Sequence, residues 1–172
     1  MTNLNNISLK ILSDGKGILA ADESTGTMTK RLESVMVLSN EENRLNFRKT
    51  LFSAESMKKC IGGVILYDET IKQTSDNKTI PEIINESGAV TGIKVDIGAK
   101  TLAGSPKEKI TEGLDGLRDR LKEYYKLGAR FTKWRGVYVV SDEFPSKLSI
   151  HTNAQALARY AALVQECEMV PI

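Results

Sequence analysis

The chain has 172 residues, 41% of them hydrophobic and 27% charged, which suits one globular domain with a real core. Its 24 lysines and arginines against 22 aspartates and glutamates leave a formal net charge of +2, without the clustered excess that nucleic-acid binding needs. No apolar run reaches the roughly 18 residues of a membrane span, and Cys60 and Cys167 make neither a disulfide framework nor a zinc cluster. The polar, asparagine-rich stretch 1–13 reads as an N-terminal arm and lacks the basic and apolar regions of a secretory leader. The expectation is a soluble, cytoplasmic, reduced protein that binds neither membrane nor nucleic acid.

Short apolar runs alternate with amphipathic ones along the chain. The first apolar run is Gly17 to Ala21, ending at Asp22-Glu23-Ser24. A helical stretch over 41–54 follows, with Leu45, Phe52 and the pair Phe47/Leu51 at helical spacing. The second run, Gly63 to Tyr67, ends at Asp68, and the third, Gly92 to Asp96, ends near Gly98. Leu114, Leu117, Leu121 and Tyr124/Tyr125 form another helical stripe, closed by Gly128 as its C-terminal cap. The fourth run is Ala129 to Arg135. Thr152 with Gln155 has the pattern of a capping box, opening a helix whose stripe is Leu157, Tyr160, Ala161 and Val164. His151, the only histidine, then reads as a surface residue at that helix start. A fifth run begins at Met169. Alternation of this kind predicts an α/β fold with parallel strands.

Buried parallel strands are normally near-continuous Val, Ile and Leu. Here the third run carries Lys94 and Asp96, and the fourth carries Lys133 and Arg135. Alternation puts each pair on one face, near the C-terminal strand ends where open sheets and barrels build their sites. Asp22, at the end of the first run, can accept a proton or hold a substrate hydroxyl. Ser24 and Thr27, with Lys30 and Arg31 one turn on, suit an anion such as phosphate at a helix start. A lysine in apolar surroundings is either a nucleophile or base, or a phosphate ligand that stays charged; the residues leave open which of Lys94 and Lys133 does which. Trp134 points to the opposite face from Lys133, into helix–sheet packing. Gly15-Lys16-Gly17 precedes its strand and so is no nucleotide loop. Asp22, Lys94, Lys133 and Arg135 are expected to converge on one pocket.

Several segments together resemble class I fructose-bisphosphate aldolase. They are Lys16 to Gly26 (KGILAADESTG), Cys60 to Leu66 (CIGGVIL), Gly92 to Asp96 (GIKVD), Leu114 to Leu117 (LDGL), Lys133-Trp134-Arg135, Asn153 to Tyr160 and Val170-Pro171-Ile172. The likeness runs in family order from about Ser13 to the last residue. It implies an α/β fold of the (β/α)8 TIM barrel family, this chain covering about the first four βα units and the start of the fifth strand. It implies reversible cleavage of fructose 1,6-bisphosphate to dihydroxyacetone phosphate and glyceraldehyde 3-phosphate in glycolysis. The chemistry would use a lysine Schiff base, no metal and no cofactor. By motif, Asp22 would hold substrate hydroxyls and stabilise charged intermediates. Lys94, with Ser24 and Thr27, would bind the phosphate at the aldehyde end, and Lys30 and Arg31 the phosphate at the ketone end. Lys133 would sit beside the Schiff-base lysine, and Arg135 and Arg44 would add positive charge near the substrate. Complete members are commonly homotetramers. Thr27 stands where the family often has Ser, and Ile97 where many members have a polar residue.

The family's acid/base glutamate and its Schiff-base lysine lie beyond the segment matching Val170-Pro171-Ile172. A closed barrel of this type needs about 250 residues. The chain therefore reads as the N-terminal half of an aldolase barrel, inactive alone. The alternatives are one chain of a split aldolase, a non-catalytic half-barrel serving as a phosphosugar-binding or interaction module, and a different phosphate-binding barrel enzyme.

Overall fold

In the computed structural model, which describes residues 3–172, a helix opens the chain: α1, Asn3–Leu12. There follow β1 (Gly17–Ala21), α2 (Thr25–Ser34), α3 (Glu41–Phe52), α4 (Met57–Cys60), β2 (Ile61–Leu66) and α5 (Asp68–Ile71). A small hairpin, β3 (Thr74–Ser75) and β4 (Lys78–Thr79), leads into α6 (Ile80–Glu86) and β5 (Val90–Lys94). A longer hairpin, β6 (Ala99–Leu102) and β7 (Ser105–Thr111), precedes α7 (Leu117–Lys126) and β8 (Phe131–Lys133). The chain closes with α8 (Lys147–Glu166) and β9 (Val170–Pro171).

Strands β1, β2, β5, β8 and β9 form one parallel sheet in that spatial order. Each new strand adds beside the last, so the order never reverses as it does in a doubly wound sheet. Strand alternation then gives the sheet two different faces. Ala21, Val64, Leu66, Ile93, Val95 and Trp134 point outward into the main core, against Leu117, Leu121 and Tyr124 of α7 and Tyr160 and Val164 of α8. The Tyr160 hydroxyl shares a 2.6 Å hydrogen bond with Thr132 Oγ1 and donates to the Ile172 carbonyl at 3.0 Å. It thus ties α8 to β8 and to the chain beyond β9, and burial pushes its pKa up to about 12.

The inner face changes character along the strands. Ile65, Val90 and Phe131 form its floor with Ile11 of α1, and Val170 packs against them. Further along the same face of β5 and β8 stand Lys94 and Lys133, which are register partners. Below them Gly92 pairs with Phe131. An alanine Cβ at Gly92 would lie 2.3 Å from the Phe131 ring, and one at Gly63 would lie 3.1 Å from it. The two glycines therefore make the trough in which that ring lies.

Several expectations are corrected here. Residues 3–12, read as part of a polar arm over 1–13, form a helix whose Ile11, only 3% exposed, plugs the floor of the sheet. The last helix starts at Lys147, not at Thr152, and its cap is Ser146, whose hydroxyl accepts the Ser149 N–H at 3.1 Å. Thr152 lies inside the helix and donates to the Leu148 carbonyl at 2.8 Å, and exposed His151 is also inside it. The physical reason lies far away in sequence. Glu108 of β7 accepts the Ser146 N–H at 2.9 Å and the Ser146 hydroxyl at 2.5 Å, so the earlier start is the stabilised one. Within α3, Phe47 is exposed and Arg48 is fully buried, the reverse of what the apolar stripe predicts.

Candidate functional site

The C-terminal strand ends open into a cleft of about 860 Å³. Asp22, Ser24, Thr27 and Arg31 line it from β1 and α2, Lys94 and Asp96 from β5, and Lys133 and Arg135 from β8. The four residues expected to converge do so. Lys30 and Arg44 do not line the cleft. Lys30 is exposed on the outside of α2, and Arg44 is turned to Glu69, with Nε 2.9 Å from Oε2. That Glu69 bond raises the Arg44 pKa and, in return, holds the Glu69 carboxyl below its usual range.

Two ion pairs dominate the cleft. Lys133 Nζ donates to Asp22 Oδ2 at 2.6 Å, and Lys94 Nζ lies 3.0 Å from Asp96 Oδ1. Lysines directly opposite on neighbouring parallel strands repel, and the two carboxylates offset this. The Lys133–Asp22 pair also reports the shape of the sheet. Its strands, β8 and β1, are separated by β2 and β5. On a flat sheet three strand spacings amount to about 14 Å, farther than the two side chains and a hydrogen bond can reach, so the inner face is concave.

The local sequence explains how the first wall is built. Ser24 caps α2 and accepts the Thr27 N–H at 3.4 Å, and its hydroxyl lies 3.2 Å from that of Thr27. Two hydroxyls and the positive end of a ten-residue helix therefore face the cleft. Asp96 is buried; its Oδ1 takes the Gly98 N–H at 3.1 Å, while Oδ2 has no hydrogen-bond partner among the described residues. Arg31 is paired with Glu23 across the rim.

A second set of lining residues was missed by the sequence reading. Asp68, Lys72, Arg120, Glu123 and Tyr124 also line the cleft. Tyr124 donates to Asp68 Oδ1 at 2.8 Å, and Lys72 reaches the same oxygen at 2.9 Å and Glu123 at 3.2 Å. Burial and the Asp68 carboxylate push the Tyr124 pKa up to about 12. Its neighbour Lys72 is raised chiefly by the hydrogen bond to Asp68. Arg120 donates to the carbonyls of Val95 and Gly113, at 2.9 and 2.5 Å, and so anchors the turn after β5. Asp68 was visible as the residue ending the second apolar run. Of the α7 residues, Tyr124 was read only as part of the apolar stripe, and Arg120 and Glu123 carried no signal, because the polar face of an amphipathic helix looks solvated. Among the described residues no group of His, Cys, Asp and Glu could hold a metal ion, and no helix is long and apolar enough to cross a membrane.

Comparison with known proteins places this arrangement in a family. The family model for glycolytic class I fructose-bisphosphate aldolase matches residues 3–172. A probable fructose-bisphosphate aldolase class 1 of Xylella fastidiosa is 52% identical over 163 residues, 94% of this chain and 49% of that protein. Fructose-bisphosphate aldolase C of Rattus norvegicus is 52% identical over 98% of this chain and 47% of its own length. Among solved structures, fructose-bisphosphate aldolase from Plasmodium falciparum, in a complex with TRAP and a small-molecule inhibitor, superposes with a TM-score of 0.94. That chain is 42% identical, over 98% of this chain and 50% of its own. The chain thus spans about half the length of the curated relatives it matches. With the whole described length matched by one family, the chain belongs to the class I fructose-bisphosphate aldolases.

Proposed function

We propose that this chain supplies the strand-end wall of a class I aldolase site. In that site fructose 1,6-bisphosphate is cleaved reversibly to dihydroxyacetone phosphate and glyceraldehyde 3-phosphate. The observation that carries the reading is the Lys133–Asp22 pair at 2.6 Å, beside Lys94 and Arg135 in one cleft. Asp22 holds substrate hydroxyls and stabilises developing positive charge. Lys133 is an ammonium group positioned to favour, by like-charge repulsion, the neutral form of a second lysine brought beside it. That second lysine forms the Schiff base, and it and the acid/base glutamate come from the rest of a barrel closed on β1 and β9. Lys94 with the Ser24 and Thr27 hydroxyls takes one phosphate, and Arg31 and Arg135 add charge for the rest of the bisphosphate. Lys30 and Arg44 are left out of this assignment, since neither lines the cleft.

The experiment is complementation. The chain is combined with the C-terminal half of the Xylella relative, and fructose bisphosphate cleavage is followed by trapping the glyceraldehyde 3-phosphate formed. Cleavage is expected in the combination and not in the chain alone. Alone, the chain should also form no borohydride-stable adduct with dihydroxyacetone phosphate. A stoichiometric adduct mapped to Lys133 would overturn the assignment and make Lys133 the nucleophile.

A further inference from the structure

Arg48 is the anomaly of the core. It sits on α3 with no exposed surface, where an apolar residue would normally form the packing. A guanidinium taken out of water is tolerated only when paired and hydrogen-bonded. Its Nη2 donates to the backbone carbonyl of Glu23 at 2.5 Å, and its Nη1 donates to Thr70 Oγ1 at 2.8 Å. The carboxylates of Glu69 and Glu23 stand 3.8 and 4.0 Å away. Its Nε has no hydrogen-bond partner among the described residues. Burial lowers the Arg48 pKa, and Glu23 and Glu69 oppose that shift.

The carbonyl that Arg48 holds belongs to the peptide joining Glu23 to Ser24, in the turn between β1 and α2. On one side of this peptide is Asp22, aimed at Lys133. On the other is Ser24, the cap of α2, whose hydroxyl meets that of Thr27. The Glu23 side chain in turn holds Arg31 at the rim. Rotation of this one peptide would move the carboxylate, the capping hydroxyl and the rim arginine together.

We propose that Arg48 is a positioning residue for the cleft: through the Glu23 carbonyl it fixes the turn that presents Asp22, Ser24 and Arg31 to a sugar bisphosphate. It touches no substrate, and the inference rests on the phosphosugar reading above. Thr70, in the short helix α5 that follows β2, shares the task by fixing the other half of the guanidinium.

The test measures apparent affinity for fructose 1,6-bisphosphate, as KM, of the 172-residue chain combined with the C-terminal half of the Xylella relative, alongside amide chemical shifts of residues 22–31. Arg48→Met, Arg48→Lys and Thr70→Val are compared with Lys49→Met, a neighbour on α3 paired with exposed Asp76. Arg48→Met should weaken binding at least tenfold and shift the amides of residues 22–27. Arg48→Lys, which can still donate to the Glu23 carbonyl, should recover part of the affinity, and Lys49→Met should bind as the parent does. If Arg48→Met fails to fold, Thr70→Val decides, with weakened binding expected. Parent-like affinity in Arg48→Met and Arg48→Lys, or in Thr70→Val where it decides, would overturn the positioning role and leave the phosphosugar reading intact. A parent combination that neither binds nor cleaves fructose bisphosphate would overturn the reading itself, and the proposal with it.

Discussion

Replacing Gly92 with alanine tests whether the floor of the cleft is built as described. Two effects oppose each other. Alanine has less backbone freedom to lose than glycine on entering a strand, which favours the variant by about 0.5–1 kcal/mol. Against this, the new Cβ lies 2.3, 2.4 and 2.5 Å from three atoms of the Phe131 ring. That ring is fully buried over Gly63 and against Ile11, Ile65 and Val90, so it cannot simply swing away. Overpacking of this kind costs about 1–3 kcal/mol. The clash wins, and net destabilisation of about 1–2 kcal/mol is expected, or about 2–8 °C in Tm for a chain of this size. The assay is urea unfolding at low protein concentration, followed by the fluorescence of Trp134, the only tryptophan. The decisive comparison is a double-mutant cycle with Phe131→Leu, which removes the clashing ring atoms. The two changes should be coupled, the double variant costing less than the sum of the singles. An alanine at 92 as stable as glycine, or an additive cycle, would refute the account of the trough.

Three further outcomes are expected. In a completed enzyme, Lys133→Met should lower kcat on the order of 100-fold or more, with little change in KM, because the group acts mainly in the transition states; unchanged kcat with raised KM would reassign it to ground-state binding. Burial pushes Glu108 up, but its hydrogen bonds from Ser146, Ser105 and Ser149 outweigh this and hold it below the ordinary 4.5. Its support of α8 is therefore complete above about pH 4.5 and lost as pH falls through the lower folded value, and Glu108→Gln should flatten that part of the stability–pH curve; an unchanged slope would count against it. Strands β1 and β9 each pair on one side only, and open parallel edges invite pairing. The chain should therefore sediment as a self-associated species at micromolar concentration, and a stable, cooperatively unfolding monomer would contradict this.

The legibility of this molecule in its sequence follows the range of the forces involved. Strand parity is local, so the faces shared by Lys94 with Asp96 and by Lys133 with Arg135 could be read directly, as could the outward Trp134. The stripe of α7 and its closure at Gly128, which takes φ +107°, were equally local. What escaped was set at long range. Thr152-x-x-Gln155 is a sound capping pattern, but Glu108 arrives from β7 and stabilises an earlier start at Ser146. In α1, Ile7 and Ile11 pack against the inner face while Leu9 and Leu12 remain exposed, so the apolar residues of this segment lie on more than one side and gave no single convincing stripe. Arg48 looked like an ordinary solvated charge until Glu23 and Glu69 were brought to it by separate strand ends. The short hairpin turns on Asp76 and Asn77, both at positive φ, a pairing natural to a two-residue turn but hidden within a polar stretch.

The same parity that exposed the site also explains its glycines. Gly92 lies two residues before Lys94, and Phe131 two before Lys133, and these four are paired across β5 and β8 as the two neighbouring pairs of the inner face, with the outward Ile93–Thr132 pair between them. Any side chain at 92 would sit on the same face as the lysines and directly beneath one of them. Without it, the Phe131 ring can lie across β5 toward Gly63 and close the inner face from below. The ammonium groups of Lys94 and Lys133 then have a hydrophobic floor on one side and the open cleft on the other. A dry floor strengthens the attraction of each lysine for its carboxylate, and for a phosphate brought to the cleft, because less water screens it from below. On this argument glycine is required at 92 by what the neighbouring strand carries, not by its own backbone, which has no positive φ. A packing choice at one rung thereby sets the electrostatics of the next.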